Sequence, residues 1–197
     1  MKQTLLTLGF FCVGLLLGRW LPQLAPENDM ALYALWLLMI VVGLSVGADE
    51  RLSGLARSLG PTALWLPIGC MAGTFLGTLF CAPLLPYDLS DCLAVGAGFA
   101  YYSLSSIIIG QERGPELGAL ALLCNVAREL ATIAFGGLLM RLGGAPLVIM
   151  AAGASASDTN LPTVVRAAGS AWLVPAIASA ILVDLSVPFW LAVFLSF

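Results

Sequence analysis

The sequence predicts an all-α, polytopic membrane protein. Three observations carry that expectation. Hydrophobic residues make up 60% of the 197-residue chain, charged residues only 10%, and mean hydropathy is +1.02. A soluble domain carries roughly 25% charged residues, so this chain lacks the polar surface that water demands. The apolar residues gather into windows near the 17–25 residues that cross a bilayer as a helix. Where polar residues interrupt those windows, they cluster, and helix breakers accompany several of the clusters.

Seven hydrophobic segments follow in order: Leu5 to Leu21, Ala31 to Ala48, Thr62 to Leu85, Cys92 to Gly110, Leu117 to Met140, Pro146 to Ala168, and Trp172 to Phe194. They form one transmembrane domain over residues 1–197. The first resembles a signal peptide in having one Lys, Lys2, before an apolar run. The equal hydrophobicity of the rest favours a retained span. The turns between segments are short and hold Pro, Gly and charge, which suits adjacent helices in a bundle. On α-helical spacing, Gly69, Gly73 and Gly77 form two overlapping GxxxG units, a pattern that lets helix backbones approach. Gly14 with Gly18 and Gly43 with Gly47 repeat it.

Lys and Arg are more frequent in cytoplasmic loops. With seven crossings and the N-terminus inside, the inner face holds Lys2, Arg51, Arg57, Arg113 and Arg166. The outer face holds Arg19 and Arg141, among Glu27, Asp29, Asp88 and Asp91. The balance predicts N-in and C-out.

Composition also excludes chemistry. Histidine is absent, which removes Ser-His and Cys-His nucleophiles and His-ligated metal. No basic stripe is present to neutralise phosphates, so nucleic acid is not an expected partner. Cys12, Cys70, Cys81, Cys92 and Cys124 form no C-x-x-C pair and read as free core thiols. No Walker A motif appears. Neither a cofactor nor a metal is expected.

The residues that carry function are those that cost most in lipid. Asn125, Arg128 and Glu129 lie near the middle of the fifth segment. A charge there costs at least ~2.5 kcal/mol on insertion scales. Arg128 and Glu129 are neighbours and point about 100° apart on a helix, so each needs its own partner elsewhere. Segment six breaks near its centre, where Asp158, Thr159 and Asn160 precede Pro162 and Gly153 and Ser155 loosen the turn before. Discontinuous helices of this kind bind ligands near the midplane. Segment four carries Tyr101, Tyr102, Ser103, Ser105 and Ser106, hydroxyls suited to a substrate or to another helix. Asp184 is a third deep acid, in segment seven. Surplus carboxylates around a cavity select cations, and desolvation favours a protonated acid.

These pieces are familiar in combination. Y-S-L-S, a G-P turn, N-x-x-R-E and D-x-x-L-P occur in that order over the second half of the chain, which resembles the LysO-type lysine exporter family. The family resembles transporters with crossing broken helices, the sodium–proton antiporters and bile-acid transporters. The resemblance implies export of L-lysine, or another cationic amino acid, across the bacterial cytoplasmic membrane, with proton or cation antiport. It places Asn125, Arg128 and Glu129 on N-x-x-R-E, and Asp158, Leu161 and Pro162 on D-x-x-L-P. Glu129 and Asp158 would be the essential acids. Longer members carry roughly three more N-terminal helices, so a homodimer or a small membrane partner is expected to supply them. Asp184 matches no motif. The alternatives are an accessory subunit whose polar residues only join helices, an intramembrane aspartyl hydrolase, and a cation channel.

Overall fold

The computed structural model describes residues 62–196 and, ahead of them, Tyr33, Leu37, Ile40 and Leu44. The chain divides into two compact units, Met1–Gly47 and Ala48–Phe197. In the first, the four described positions are helical and, spaced four, three and four residues apart, fall on one exposed stripe. Segment one lies outside the described residues, and segment two is described only at those four positions.

In the second unit every regular element is helical among the described residues. Helix α1 is Thr62–Cys81, α2 is Leu89–Gly96, α3 is Tyr102–Arg113, α4 is Pro115–Ala152, α5 is Leu161–Ala168 and α6 is Leu173–Leu195. Short 3-10 turns join several of them, including Gly153–Ser157 between α4 and α5. Three stretches are long and apolar enough to cross a membrane: Leu64–Leu84, Pro115–Ser157 and Ser170–Leu195. Their outward faces are apolar. Phe80, Trp65 and Leu142 are 81%, 68% and 72% exposed, which only lipid or another apolar surface accommodates.

Segments four and six do break, but they turn back instead of continuing across. Asp91 starts α2 and Arg113 ends α3. A continuous helix would hold them about 33 Å apart, yet the Asp91 Oδ1 to Arg113 Nε distance is 3.4 Å. Tyr87, before α2, donates a hydrogen bond to Glu116 at the start of α4, at 3.3 Å. Both ends of the α2–α3 unit therefore lie on one side, and Ala97–Tyr101 is the tip of a re-entrant hairpin. Arg113 also donates to the Leu195 carbonyl at 3.4 Å, which brings the end of α6 to the same side.

The second hairpin enters from the opposite side. Its first arm is the end of α4 beyond Gly144, whose φ of 71° and ψ of −167° break the helix. Glycine reaches that conformation without the penalty of a Cβ. Straight, Arg128 and Ala151 would stand about 35 Å apart; they are hydrogen-bonded at 2.9 Å. The second arm, α5, runs back along α4, where Thr163 fills the space beside Gly136. Leu66, Val148, Val164 and Ala176 bury one another in a core that Met140, Ala167 and Trp172 also join. Both arms therefore end on the side where α1 and α6 begin.

Arg141 and Arg166 consequently share one end of the bundle, while Arg113 lies at the other with Asp88, Asp91, Glu112 and Glu116. The expectation had grouped Arg113 with Arg166 and set Arg141 opposite. It assumed that every apolar segment crosses. An interrupted segment can equally be two short arms, since hydropathy reports apolar length and not direction.

Close helix contacts depend on particular glycines. A Cβ on Gly118 would lie 2.7 Å from the Gly110 Cα and 2.7 Å from the Ser106 carbonyl oxygen, so α3 and α4 meet backbone to backbone. Among the described residues, nothing lies within 4 Å of a Cβ on Gly73 or Gly77, and Gly69 of that stripe is crowded by the flexible end of Met150.

Two outcomes follow. In a cysteine-free background, single cysteines at positions 88 and 112 should label with an impermeant thiol reagent from one side of the membrane. Cysteines at 141 and 170 should label from the other. Opposite-side labelling of 88 and 112 would show that segment four crosses. Gly118→Val should lower the melting temperature in detergent by an amount consistent with overpacking of ~1–3 kcal/mol, whereas Gly73→Ala should not lower it.

Candidate functional site

The two hairpin tips meet, and their backbone explains why. Phe99 and Ala100 have φ of 45° and 74°, a region that costs a non-glycine residue about 1–3 kcal/mol unless its surroundings hold it there. The Ala100 N–H donates to Asn125 Oδ1 at 2.7 Å. The Phe99 carbonyl accepts from the Ala154 N–H of the opposite tip at 2.9 Å. The Phe99 ring stacks edge-on with Phe75 of α1 at 5.4 Å, and Phe75 in turn meets Trp190 and Phe194 of α6. Gly153 (φ 61°) crosses directly against the Phe99 carbonyl, where no side chain fits. Gly98 is equally closed, by the Asn125 amide.

Asn125 and Arg128 are the clamps of this junction. Asn125 is 3% exposed and donates from Nδ2 to the Ala121 carbonyl at 2.8 Å and to the Val95 carbonyl at 3.4 Å. It thus ties the first tip to α4. Arg128 donates from Nε to the Ala151 carbonyl and from Nη2 to the Met150 carbonyl, each at 2.9 Å. These are last-turn carbonyls of a helix, where partial negative charge collects. Its Nη1 donates to Thr74 Oγ1 at 2.9 Å, and Nη2 also reaches Cys70 Sγ at 3.3 Å, both on α1. Arg128 therefore satisfies its charge with helix-end carbonyls, not with an acid. The ion pair between described residues is Asp91–Arg113, near the bundle's end.

Asn125 and Arg128 line a groove of about 730 Å³ that runs between α1, α2 and α4. Glycine, cysteine and apolar residues make up most of its wall, and Thr74, Asn125, Arg128 and Thr132 there donate to backbone carbonyls. A second, smaller pocket of about 240 Å³ lies on the other side of the tips. It is lined by Tyr101, Tyr102 and Ser103 from the first tip and by Ser155, Ser157 and Asp158 from the second. Glu129 of α4 and Asp184 of α6 complete it. Among the described residues, no Lys or Arg lines it. The 100° between helical neighbours separates Arg128 from Glu129, sending one to each cavity.

Of the residues expected at the site, Glu129, Asp158, Asp184, Tyr101, Tyr102 and Ser103 share this pocket. Asn125 and Arg128 do not line it. Ser105 is buried and donates to the Tyr101 carbonyl at 3.0 Å. Asn160 is fully buried; its Nδ2 donates to Ser155 Oγ at 2.8 Å and to the Glu129 carbonyl at 3.4 Å, bracing the second tip against α4. Thr159 donates from its backbone N–H (2.5 Å) and its hydroxyl (3.1 Å) to Asp158 Oδ1, which orients that carboxylate. Ser155 and Ser157 are pocket residues outside the expected set. Both lie in the Gly-Ala-Ser-Ala-Ser run, where the glycine and serines signal the break.

Cys70, Cys81, Cys92 and Cys124 are free, as expected; Cys70 and Cys92 are buried and Cys81 and Cys124 exposed. No cluster of His, Cys, Asp or Glu among the described residues has a metal-site arrangement.

Apolar spans around two opposed re-entrant hairpins, with an acidic pocket at their tips, define a membrane-embedded helical protein. Comparison with known proteins gives the family. The profile described as "Lysine exporter LysO" matches residues 8–195, and the chain belongs to that family. It is 28% identical to "Lysine exporter LysO" of Escherichia coli (strain K12), over 98% of this chain and 64% of that protein. It is also 28% identical to a "Putative lysine exporter" of Haemophilus influenzae (strain ATCC 51907 / DSM 11121 / KW20 / Rd), over 94% of each chain. The chain thus spans about two thirds of the length of the E. coli relative. No solved structure matches.

The clamp role of Arg128 has a measurable signature. Arg128→Lys keeps the charge but not the fork that reaches two carbonyls and Thr74. It should destabilise the protein in detergent by about 3 kcal/mol, two charge-assisted hydrogen bonds at ~1.5 kcal/mol each. Glu129→Gln should leave thermal stability near that of the wild type.

Proposed function

We propose that this chain holds the substrate site of an exporter for L-lysine or another cationic amino acid, and that the 240 Å³ pocket at the hairpin tips is that site. One observation carries the reading: Glu129, Asp158 and Asp184 share a pocket that, among the described residues, no Lys or Arg lines. Cations enter such a pocket by attraction, and the low-dielectric surroundings strengthen the effect. The volume is below the ~300–1,000 Å³ of sites for drug-sized ligands and suits one small metabolite. Serine and tyrosine hydroxyls supply the neutral hydrogen-bonding groups. Membership of the lysine exporter family supports lysine as the substrate.

Coupling to a proton or cation moving the other way belongs to the same proposal. Lysine carries one net positive charge and the pocket three acids, so carboxylates remain to take a proton when substrate leaves. The sodium–proton antiporter and bile-acid transporter comparison applies to this level only: interrupted helices with a site where the breaks meet.

Orientation follows from Arg141 and Arg166 sharing one end, opposite an end rich in Asp and Glu. The positive-inside preference makes the Arg141 end cytoplasmic and puts the C-terminus outside, in a bacterial inner membrane. With segments one and two both crossing, the N-terminus is inside. A homodimer or a small membrane partner is also proposed; the open apolar groove along Gly73 and Gly77 supports a helix contact there.

Glu129→Gln and Asp158→Asn test the central reading. Each variant should insert and remain folded yet fail to lower intracellular lysine in cells fed a lysyl dipeptide. Normal efflux from both variants would refute it. An accessory subunit predicts that result, because its polar residues would serve packing alone.

A further inference from the structure

We propose that Asp184 is the specificity-determining carboxylate of the pocket: it takes the second ammonium of a diammonium substrate. The proposal rests on the reading of the pocket as a cationic amino-acid site and assigns a separate task within it. The three acids come from three different bodies. Glu129 stands on α4, Asp158 on the second hairpin tip and Asp184 on α6. A substrate with a single ammonium needs one or two of them. A third, on a separate helix, gives the second ammonium of a doubly charged ligand a partner of its own while the ligand is bound.

The position of Asp184 is rigidly set. Ala176, Ala180, Val183 and Val187 of the same helix are all 0% exposed, and Ala176 and Ala180 belong to the core that encloses the second hairpin. That core packs α6 against Val148, Ile149 and Val164 of the second hairpin's arms, so Asp184 and the tip acid Asp158 stand at a set separation. Asp158 and Asp184 line the same small pocket, where two carboxylates repel one another. A cation set between them relieves that repulsion. The deep cation Arg128 cannot, since it faces the other groove and is held by Ala151, Met150 and Thr74. A fixed acid on one wall and a tip acid on another make a ruler for the separation of two ammonium groups.

The test is equilibrium binding to the purified full chain in detergent or nanodiscs, at fixed pH. Ligands are lysine, ornithine (one methylene shorter) and norleucine (lysine's chain length without the second ammonium). Asp184→Asn should weaken lysine binding roughly 10- to 100-fold, the range of a lost charge-assisted hydrogen bond, and leave norleucine binding unchanged. Asp184→Glu extends the acid by one methylene and should shift preference from lysine towards ornithine. A folding defect would lower all three ligands together and would be visible in the melting temperature. Unchanged lysine affinity in Asp184→Asn, or equal losses for lysine and norleucine, would overturn the assignment of Asp184 alone. Wild-type protein that binds neither lysine nor ornithine would overturn the underlying reading of the pocket.

Discussion

Backbone hydrogen bonding at the centre of the bundle is the constraint on which the rest of the structure depends. Two hairpins expose irregular backbone about halfway through an apolar medium, where each unsatisfied N–H or C=O costs several kcal/mol. The structure satisfies these groups internally. Ala154 N–H meets the Phe99 carbonyl, Asn125 meets the Ala100 N–H, and Arg128 meets the Met150 and Ala151 carbonyls. The left-handed φ at Phe99 and Ala100 persists because these bonds and the aromatic cluster around Phe75 over-determine it.

This division separates structure from chemistry along a single helix. Asn125 and Arg128 face the hairpin backbones and hold them. Glu129, one residue on, faces the opposite cavity. Two adjacent charges so deep in a span would be untenable on one face, since each desolvated charge needs its own compensation. Arg128 finds it in helix-end carbonyls. Among the described residues no Lys or Arg lines the pocket of Glu129, Asp158 and Asp184, and the proposed cation site rests on that surplus of acid.

Much of this was legible in the sequence. Apolar length gave the spans over Thr62–Cys81 and Leu173–Leu195 with small boundary errors. Glycine, proline and polar clusters marked both breaks, and the depth of Glu129, Asp158 and Asp184 singled them out. Direction was not legible. Hydropathy is blind to whether a broken segment crosses or returns, so Arg113 and Arg166 were assigned to one side. Nor was the partner of Arg128 legible, because backbone carbonyls at a helix end leave no residue-type signal. Asn125 and Arg128 share a motif with Glu129, and sequence adjacency made one site of what geometry divides into two. Asn160 and Ser105 likewise read as ligand groups but serve to brace the tips.

The bond between Ala154 and Phe99 also governs how the tips can part. It joins an amide of one hairpin to a carbonyl of the other, and neither has a spare partner in the dry interior around it. Separation leaves both unsatisfied unless solvent arrives at the same moment. Unlatching and wetting are therefore one event, and a parted but waterless junction is too high in energy to be populated.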